Sequence, residues 1–430
     1  MSEAPSEAGA AGPRGFAPPR GTQDLLPDVA DSMEVLGARA ASLARRYGFR
    51  RIETPVFDHT ELWVRAVGET TDIVTKEMYT FEDKGGRSLT LRPEGTSSVV
   101  RAYLANRQAL PTPFKAYYIA QMFRHERPQA GRMRQHTQFG VEVIGTASPR
   151  ADVEVIEVGH RYLTHLGLAR FELHLNSIGD ENCRPAYREA LVEFLRQRED
   201  RLGRECRERM RTNPLRVLDC KEESCRAATE DAPRLLEYLD DACRRHFEEV
   251  QRGLAEAGIG FSIDHRLVRG LDYYTRTAFE FVSEVLGSTQ STLCGGGRYD
   301  GLAETLGGEP TPGIGFGLGL ERALLAMERE GLDAPRPDEP LVFVVALGED
   351  AGREGRSLVR ALRAEGVPAE AALEERPLKA QLRMADRAGA SYAAILGEEE
   401  LQDGVATMRR MADGQQERVK LSEVPAWVRG

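Results

Sequence analysis

Apolar residues recur every three or four positions from Val29 to Tyr47, and the run stops at Gly48. That spacing gathers them into one stripe and predicts a helix ended by the glycine. RRIETPVF follows, with strand-like content interrupted by Pro55. A proline cannot donate to a ladder, so an edge-like strand is expected there. SLTLRPE, AYYIAQMFR, QFGVEVIG, RFELHLN and AFEFVSEV carry the β-branched and aromatic residues of strands. They lack regular crossover helices between them, which favours an antiparallel sheet over a doubly wound one.

Residues 178–259 read differently. REALVEFLRQREDRLGRECRERMR is helical in propensity and laced with opposite charges, which predicts a helical insertion in a sheet domain made of 15–177 and 260–330. Such charge runs ordinarily form a solvated face, but an arginine-rich helical surface also suits an RNA backbone. After ERALLAMERE, which reads as a helix, the prolines of GLDAPRPDEP mark a linker over 331–340. From 341 to 430 the period changes again. LVFVVAL and SYAAILG read as buried strands, EGRSLVRALRAEG and AQLRMADRAGA as helices, and VATMRRMADGQQERV as a hairpin-like end. A small α/β domain with a mostly parallel sheet is expected. Residues 1–14, mostly Gly, Ala, Pro and Ser, read as a disordered leader.

A chain of 430 residues with 41% hydrophobic and 29% charged residues can bury more than one core. Its net charge of −10 argues against a protein that coats nucleic acid regardless of sequence, while leaving room for a local basic groove. No apolar run is long enough to cross a bilayer, and the N-terminus lacks the form of a secretory signal, so a cytoplasmic protein is expected. The six cysteines are then reduced. Those from Cys206 to Cys243 do not form two successive tight pairs, so scattered thiols and no structural metal are expected.

The common nucleotide devices are missing: there is neither a GxxxxGK[ST] loop nor a GxGxxG between a strand and a helix. The glycine runs are CGGGRYDG and GIGFGLGLER. Tight packing alone would explain the second, except that Arg322 comes directly after it, at the start of an apolar helix, where a guanidinium can reach a phosphate. FRHERPQAGRMRQHTQF places Arg124, Glu126, Arg127, Arg132 and Arg134 around one turn, more arginine than a hairpin needs. A polyphosphate held between opposed arginines accounts for Arg124 and Arg322 together. LVRGLDYYTRTAFEF adds Arg269, Asp272, Tyr273 and Tyr274, and TLRPEGT places Glu94 and Thr96 as acceptors suited to an ammonium.

On these stretches the chain, from about Pro13 to Gly430, resembles the bacterial histidyl-tRNA synthetases of aminoacyl-tRNA synthetase class II. YGFRRIETPVFD, FRHE with its loop, and GFGLGLER resemble the three class motifs; LVRGLDYY, GGGRYDG and TLRPEGT resemble stretches peculiar to the histidine enzymes. The resemblance implies an α+β fold: an antiparallel sheet of six strands flanked by helices, a helical insertion, and a C-terminal α/β anticodon-binding domain. It implies a histidine–tRNA ligase that activates L-histidine with ATP, accompanied by Mg²⁺, and esterifies it onto tRNA(His). A homodimer is implied too, packed through the first motif, and no membrane.

Residue by residue, the resemblance makes Arg124 and Arg269 catalytic, facing the α-phosphate from opposite sides. Glu94, Thr96, Arg124, Gln138, Glu142, Arg269, Tyr273, Tyr274 and Tyr299 would bind histidine. Glu142 and Tyr274 would read the two imidazole nitrogens. Arg124, Glu126, Arg132, His136 and Arg322 would bind ATP, and Arg127 and Gln129 would approach the tRNA acceptor end. The chain departs from the family pattern in RMRQHTQF: Met133 stands where the family has tyrosine, and His136 where it has the phenylalanine that lies on adenine. His136 can still offer a flat face, so ATP is expected to bind, although a charged imidazolium would stack differently on the base. A regulatory subunit of ATP phosphoribosyltransferase resembles the same core, but it lacks the last domain and the ATP-binding arginines, which are present here.

Overall fold

The computed structural model describes residues 16–69, 71–128, 131–287, 291–337 and 340–429. The leader 1–14 and Gln129 lie outside the described residues. The helix expected from Val29 spans Pro27–Arg46, with proline in its first turn; it buries Met33, Leu36, Ala40, Leu43 and Ala44 on one face. Gly48, at φ 79°, turns the chain out of it.

The main sheet has eight strands in the order β1 (Arg50–Arg51), β5 (Phe114–Phe123), β6 (Gln135–Ile144), β11 (Gly313–Gly319), β10 (Thr292–Arg298), β9 (Thr275–Ser283), β7 (Phe171–Ser177) and β8 (Ser262–Ile263). The six central strands pair antiparallel, and only the two-residue strands β1 and β8 join the edges in parallel. The alternation of side chains gives the sheet two different faces. Tyr117, Phe139, Val141, Phe279, Phe281, Phe316 and Leu318 share one core with the helices Pro27–Arg46, Pro149–His165 and Leu320–Arg329. The opposite face carries Glu142, Gly140, Gln138 and His136 on β6, with Gly315 and Gly317 of β11 in register beside Glu142 and Gly140.

SLTLRPE does form a strand, but not in this sheet. β4 (Ser88–Leu91) is the centre of a separate three-stranded sheet between β2 (Phe57–His59) and β3 (Thr80–Glu82). Pro55 separates β1 from β2, as its missing N–H requires.

Between β7 and β8 lie the helices Arg184–Arg196, Arg204–Thr212, Glu223–Ala228 and Asp241–Glu256. The first three pack around Tyr187, Leu191, Leu195, Cys206, Met210 and Cys225. The last is shared: Cys243 faces that cluster, while Phe247, Val250 and Leu254 join the core of the main sheet.

A second compact unit begins after Arg336. Its sheet runs β13 (Ala369–Ala371), β12 (Val342–Ala346), β14 (Tyr392–Leu396), β15 (Val405–Arg410), β16 (Gln416–Lys420). The first three strands are parallel and the last two form an antiparallel hairpin, so the sheet is mixed rather than mostly parallel. Among the described residues, no helix is long and apolar enough to cross a membrane.

Candidate active site

The glycine runs of β10 and β11 have a steric purpose. A Cβ at Gly315 would overlap the Glu142 carboxylate, one at Gly313 would lie 2.2 Å from the Tyr299 ring, and one at Gly295 would lie 2.5 Å from the Arg269 guanidinium. The strands are stripped of side chains so that groups from their neighbours can lie across them, over a floor of bare backbone.

At one end of this floor is a closed pocket. Glu142 is fully buried; the Thr96 hydroxyl donates to its Oε1 at 2.8 Å and the Tyr299 hydroxyl to its Oε2 at 2.5 Å. Burial dominates the balance at Glu142 and pushes its pKa up to about 8, against the two hydroxyls that favour the carboxylate. Glu94 accepts the N–H groups of Thr96 and Ser97 at 2.6 and 3.0 Å, capping the helix Thr96–Asn106, and the Tyr273 hydroxyl reaches it at 3.4 Å. It therefore belongs to a strand-to-helix turn rather than to the strand end expected from TLRPEGT. Tyr273 contacts the rings of Tyr274 and Tyr299, with centroids 4.6 and 5.9 Å apart. Burial raises the pKa of all three phenols, so they stay protonated donors.

At the other end opens a cavity of about 300 Å³ lined by Arg124, Arg132, His136, Gln138, Arg269 and Arg322, among others. Arg124 is held by a hydrogen bond from Nε to the Pro93 carbonyl at 2.8 Å, and Arg322 by one from Nε to the Gly131 carbonyl at 3.2 Å. Arg132 pairs with Glu126 and Arg269 with Glu280, whose second oxygen accepts the Thr292 hydroxyl at 2.9 Å. Burial, reinforced by the nearby charges of Arg132 and Arg124, depresses the pKa of Arg322 to about 10. Guanidiniums crowded this closely repel one another, and an entering polyanion relieves that repulsion. At Arg269 burial opposes the charge, but the Glu280 carboxylate outweighs it and holds the pKa above the ordinary value.

His136 lies beside Gln138, with 3.3 Å between their side-chain nitrogens. Burial first, then Arg124 and Arg322, push its pKa down to about 3. In the ligand-free site the ring is thus held in its neutral form.

Nearly all the residues singled out in the sequence thus converge on one face of the sheet. Arg127, Arg134 and Asp272 are exceptions among the described ones: Arg127 is exposed in the loop between β5 and β6, Arg134 donates to the Glu126 and Arg20 carbonyls, and Asp272 accepts from Asn213, all outside the cavity lining. Three neighbours escaped the sequence reading. Tyr118 packs against Gly95 and Gly140, where a Cβ would meet its ring at 2.3 and 2.2 Å. Glu280 and Glu321 line the cavity, and Glu321 accepts the Thr137 N–H at 2.7 Å. Glu280 had left a signal, a lone charge between Phe279 and Phe281 in an otherwise apolar strand.

Two family models match the chain: histidyl-tRNA synthetase over residues 21–323 and anticodon binding domain over 341–430. The histidine–tRNA ligase of Anoxybacillus flavithermus is 51% identical over 409 residues, covering 94% of this chain and 97% of the relative. That of Desulfitobacterium hafniense (strain DCB-2) is 50% identical over 406 residues, covering 94% and 96%. The crystal structure of apo Staphylococcus aureus histidyl-tRNA synthetase superposes with a TM-score of 0.79 at 35% identity, covering 97% of this chain and 100% of that one. Matched over nearly its whole length, the chain belongs to the histidyl-tRNA synthetase family.

Proposed function

We propose that the two ends of the glycine floor divide the work of a histidine–tRNA ligase: the closed pocket selects histidine and the arginine-lined cavity holds ATP. The chain activates histidine with ATP and transfers it to tRNA(His). A neutral imidazole has one donor and one acceptor nitrogen, so an acceptor at Glu142 and a phenol at Tyr274 select it over apolar isosteres. Glu94, Thr96 and Gln138 orient the rest of the amino acid, beside Tyr273 and Tyr299. His136 offers adenine a flat, neutral face.

In the first step, an oxygen of the histidine carboxylate bonds to the α-phosphorus while the bond to the β-bridging oxygen breaks and pyrophosphate leaves. Arg124 and Arg269 stabilise the charge gathering on the α-phosphoryl oxygens. Glu126, Arg132 and Arg322 order the nucleotide, and Mg²⁺ enters with ATP as part of the substrate. In the second step the terminal 3′-hydroxyl of the tRNA attacks the adenylate carbonyl and AMP departs; by the resemblance, Arg127 and Gln129 would approach the acceptor end. No enzyme nucleophile is required, because alignment and charge stabilisation suffice. The observation that carries this division is the crowding of Arg124, Arg132 and Arg322 beside Arg269, directly next to the Glu142 pocket.

We further infer a cytoplasmic homodimer. The six cysteines are unpaired, as expected of a reducing compartment. Val56, Phe57 and Phe81 are 44%, 49% and 43% exposed around the strand that follows Pro55, and the two phenylalanine rings meet edge to face at 6.2 Å. An apolar patch of this kind is what a self-complementary contact covers.

Arg269→His tests the division of labour. A guanidinium aimed at developing charge contributes on the order of 3 kcal/mol, so histidine-dependent pyrophosphate exchange is expected to fall roughly a hundredfold. Transfer from preformed histidyl-adenylate to tRNA is expected to fall much less. Equal damage to both steps would make Arg269 a support of the pocket and overturn its assigned role.

A further inference from the structure

We propose that Cys206, Cys220 and Cys225 bind a zinc ion through three thiolates, with the Glu222 carboxylate as fourth donor, in a structural site within the helical insertion. The sequence hides this arrangement. Thirteen residues separate Cys206 from Cys220 and four separate Cys220 from Cys225, so there is no pair of pairs to notice. Folding brings the three Sγ atoms within 4.8 Å of one another. Thiolates bound to one tetrahedral zinc stand about 3.8 Å apart, so the cluster needs to tighten by only about an ångström.

The surroundings are shaped for a fourth ligand. Glu222 brings Oε2 to 3.5 Å from Cys225 Sγ, and the Gly203 N–H donates to the same sulfur at 3.1 Å. Gly203 has an ordinary φ of −62°, so its conformation does not call for glycine. Space does: a Cβ there would lie 2.2 Å from Glu222 Oε2 and 3.5 Å from Cys225 Sγ. Amide N–H donation to a metal-bound thiolate is a common support for such sites.

The insertion also has a need for a clip. Cys206 lies on the nine-residue helix Arg204–Thr212, Cys220 just beyond the turn Pro214–Val217, and Cys225 on the six-residue helix Glu223–Ala228. Helices this short do not hold themselves, and among the described residues no strand runs through the insertion to tie them together. The clip would reach the active site, since Lys221, next to Cys220, lines the arginine cavity. Binding sends the three thiol protons to solvent, and zinc suits a soft sulfur set without redox chemistry.

A second cluster, Asp180, Cys183, Asp240 and Cys243, is equally close-set but already employed. Asp240 caps a helix through the Cys243 N–H at 2.7 Å, and Asp180 accepts the Asn182 N–H at 3.0 Å and pairs with Arg276 at 3.4 Å. It serves as the internal control.

The test uses the full-length protein, purified with a phosphine reductant, dialysed against zinc, and freed of loosely held metal. Mass spectrometry for metals is expected to find about one zinc per chain, and cobalt in its place to give the intense visible bands and near-ultraviolet thiolate charge-transfer bands of a tetrahedral sulfur site. Cys220→Ser, at the half-buried member of the trio, is expected to lower zinc affinity at least tenfold; Cys183→Ser is expected to leave it unchanged. Glu222→Gln is expected to weaken binding while keeping the charge-transfer bands. A wild-type protein that holds no zinc after reconstitution overturns the proposal. So does metal that is lost with Cys183→Ser and kept by Cys220→Ser.

Discussion

Glu142 has no exposed surface and faces Thr96, Tyr118, Tyr299 and the second carboxyl, Glu94. With its pKa at about 8 in the folded chain and an ordinary value of 4.5 when unfolded, the native state holds an extra proton between those pH values. The sign follows from linkage: the stability this proton contributes is complete below pH 4.5 and is lost as pH rises through 8. The slope is at most about 1.4 kcal/mol per pH unit. Ligand-free protein is therefore expected to melt at falling temperature from pH 5 to 8, and Glu142→Gln to lose that component. Parallel melting profiles for the two proteins would show Glu142 to be ionised throughout. Arg298 presents the opposite case: burial opposes its charge, but the Asp152 and Asp300 carboxylates outweigh that and hold its pKa above the ordinary value. It is fully covered, yet it donates to Asp152, Asp300 and the carbonyls of Thr146 and Ser148, so the arginine of GGGRYDG is a strut rather than a phosphate ligand.

Among the elements, the insertion touches the site more closely than its sequence suggests. Arg209 and Arg216 both pair with Asp72, Asn213 donates to Asp272 at 2.8 Å, and Arg216 donates to the Arg269 carbonyl at 3.4 Å. The loop that presents Arg269 is thus propped from the insertion. Removing a partly buried, charge-assisted contact of this kind costs about 1–2 kcal/mol. Arg216→Ala is accordingly expected to lower the urea midpoint slightly while leaving the protein folded in the assay, and to slow histidine-dependent pyrophosphate exchange roughly tenfold. An unaltered exchange rate would leave the insertion no part in the first step. Side-chain spacing and type located the helix Pro27–Arg46, the long strands β5, β6, β7 and β9, and β12, β14 and the closing hairpin of the C-terminal sheet, because each of these buries a face that its own spacing defines; β10 and β11, nearly bare of side chains, show in the sequence only as glycine runs. What spacing could not reveal was partnership between distant segments. β4 reads as well for the main sheet as for its own small one, and Cys206, Cys220 and Cys225 converge only through the packing of three short helical segments. The site motifs were legible because glycine, arginine and carboxylate are rare companions in a strand. Tyr118 was not, since a tyrosine in an aromatic strand draws no notice until Gly95 and Gly140 are seen to make room for it.

At the scale of the whole molecule, the exposed rings of Phe57, within YGFRRIETPVFD, and Phe81 lie together on the small sheet. Sedimentation equilibrium at micromolar concentration is expected to give about twice the chain mass, in line with the prevalence of two-fold assemblies. Replacing both phenylalanines by glutamate is expected to yield monomers that have lost activity. An active wild-type monomer would contradict the assembly. The bare floor of the site has a different kind of consequence, one for drug resistance. An inhibitor laid across β10 and β11 meets main-chain atoms at Gly295 and Gly317, which line the cavity and which no point mutation can delete. Mutation there can only add bulk, and the added carbon would come within 2.5 Å of Arg269 or 3.1 Å of Gln138. A resistant cell would have to obstruct its own histidine and ATP to exclude the drug, so compounds that draw their affinity from this floor face a narrow escape route.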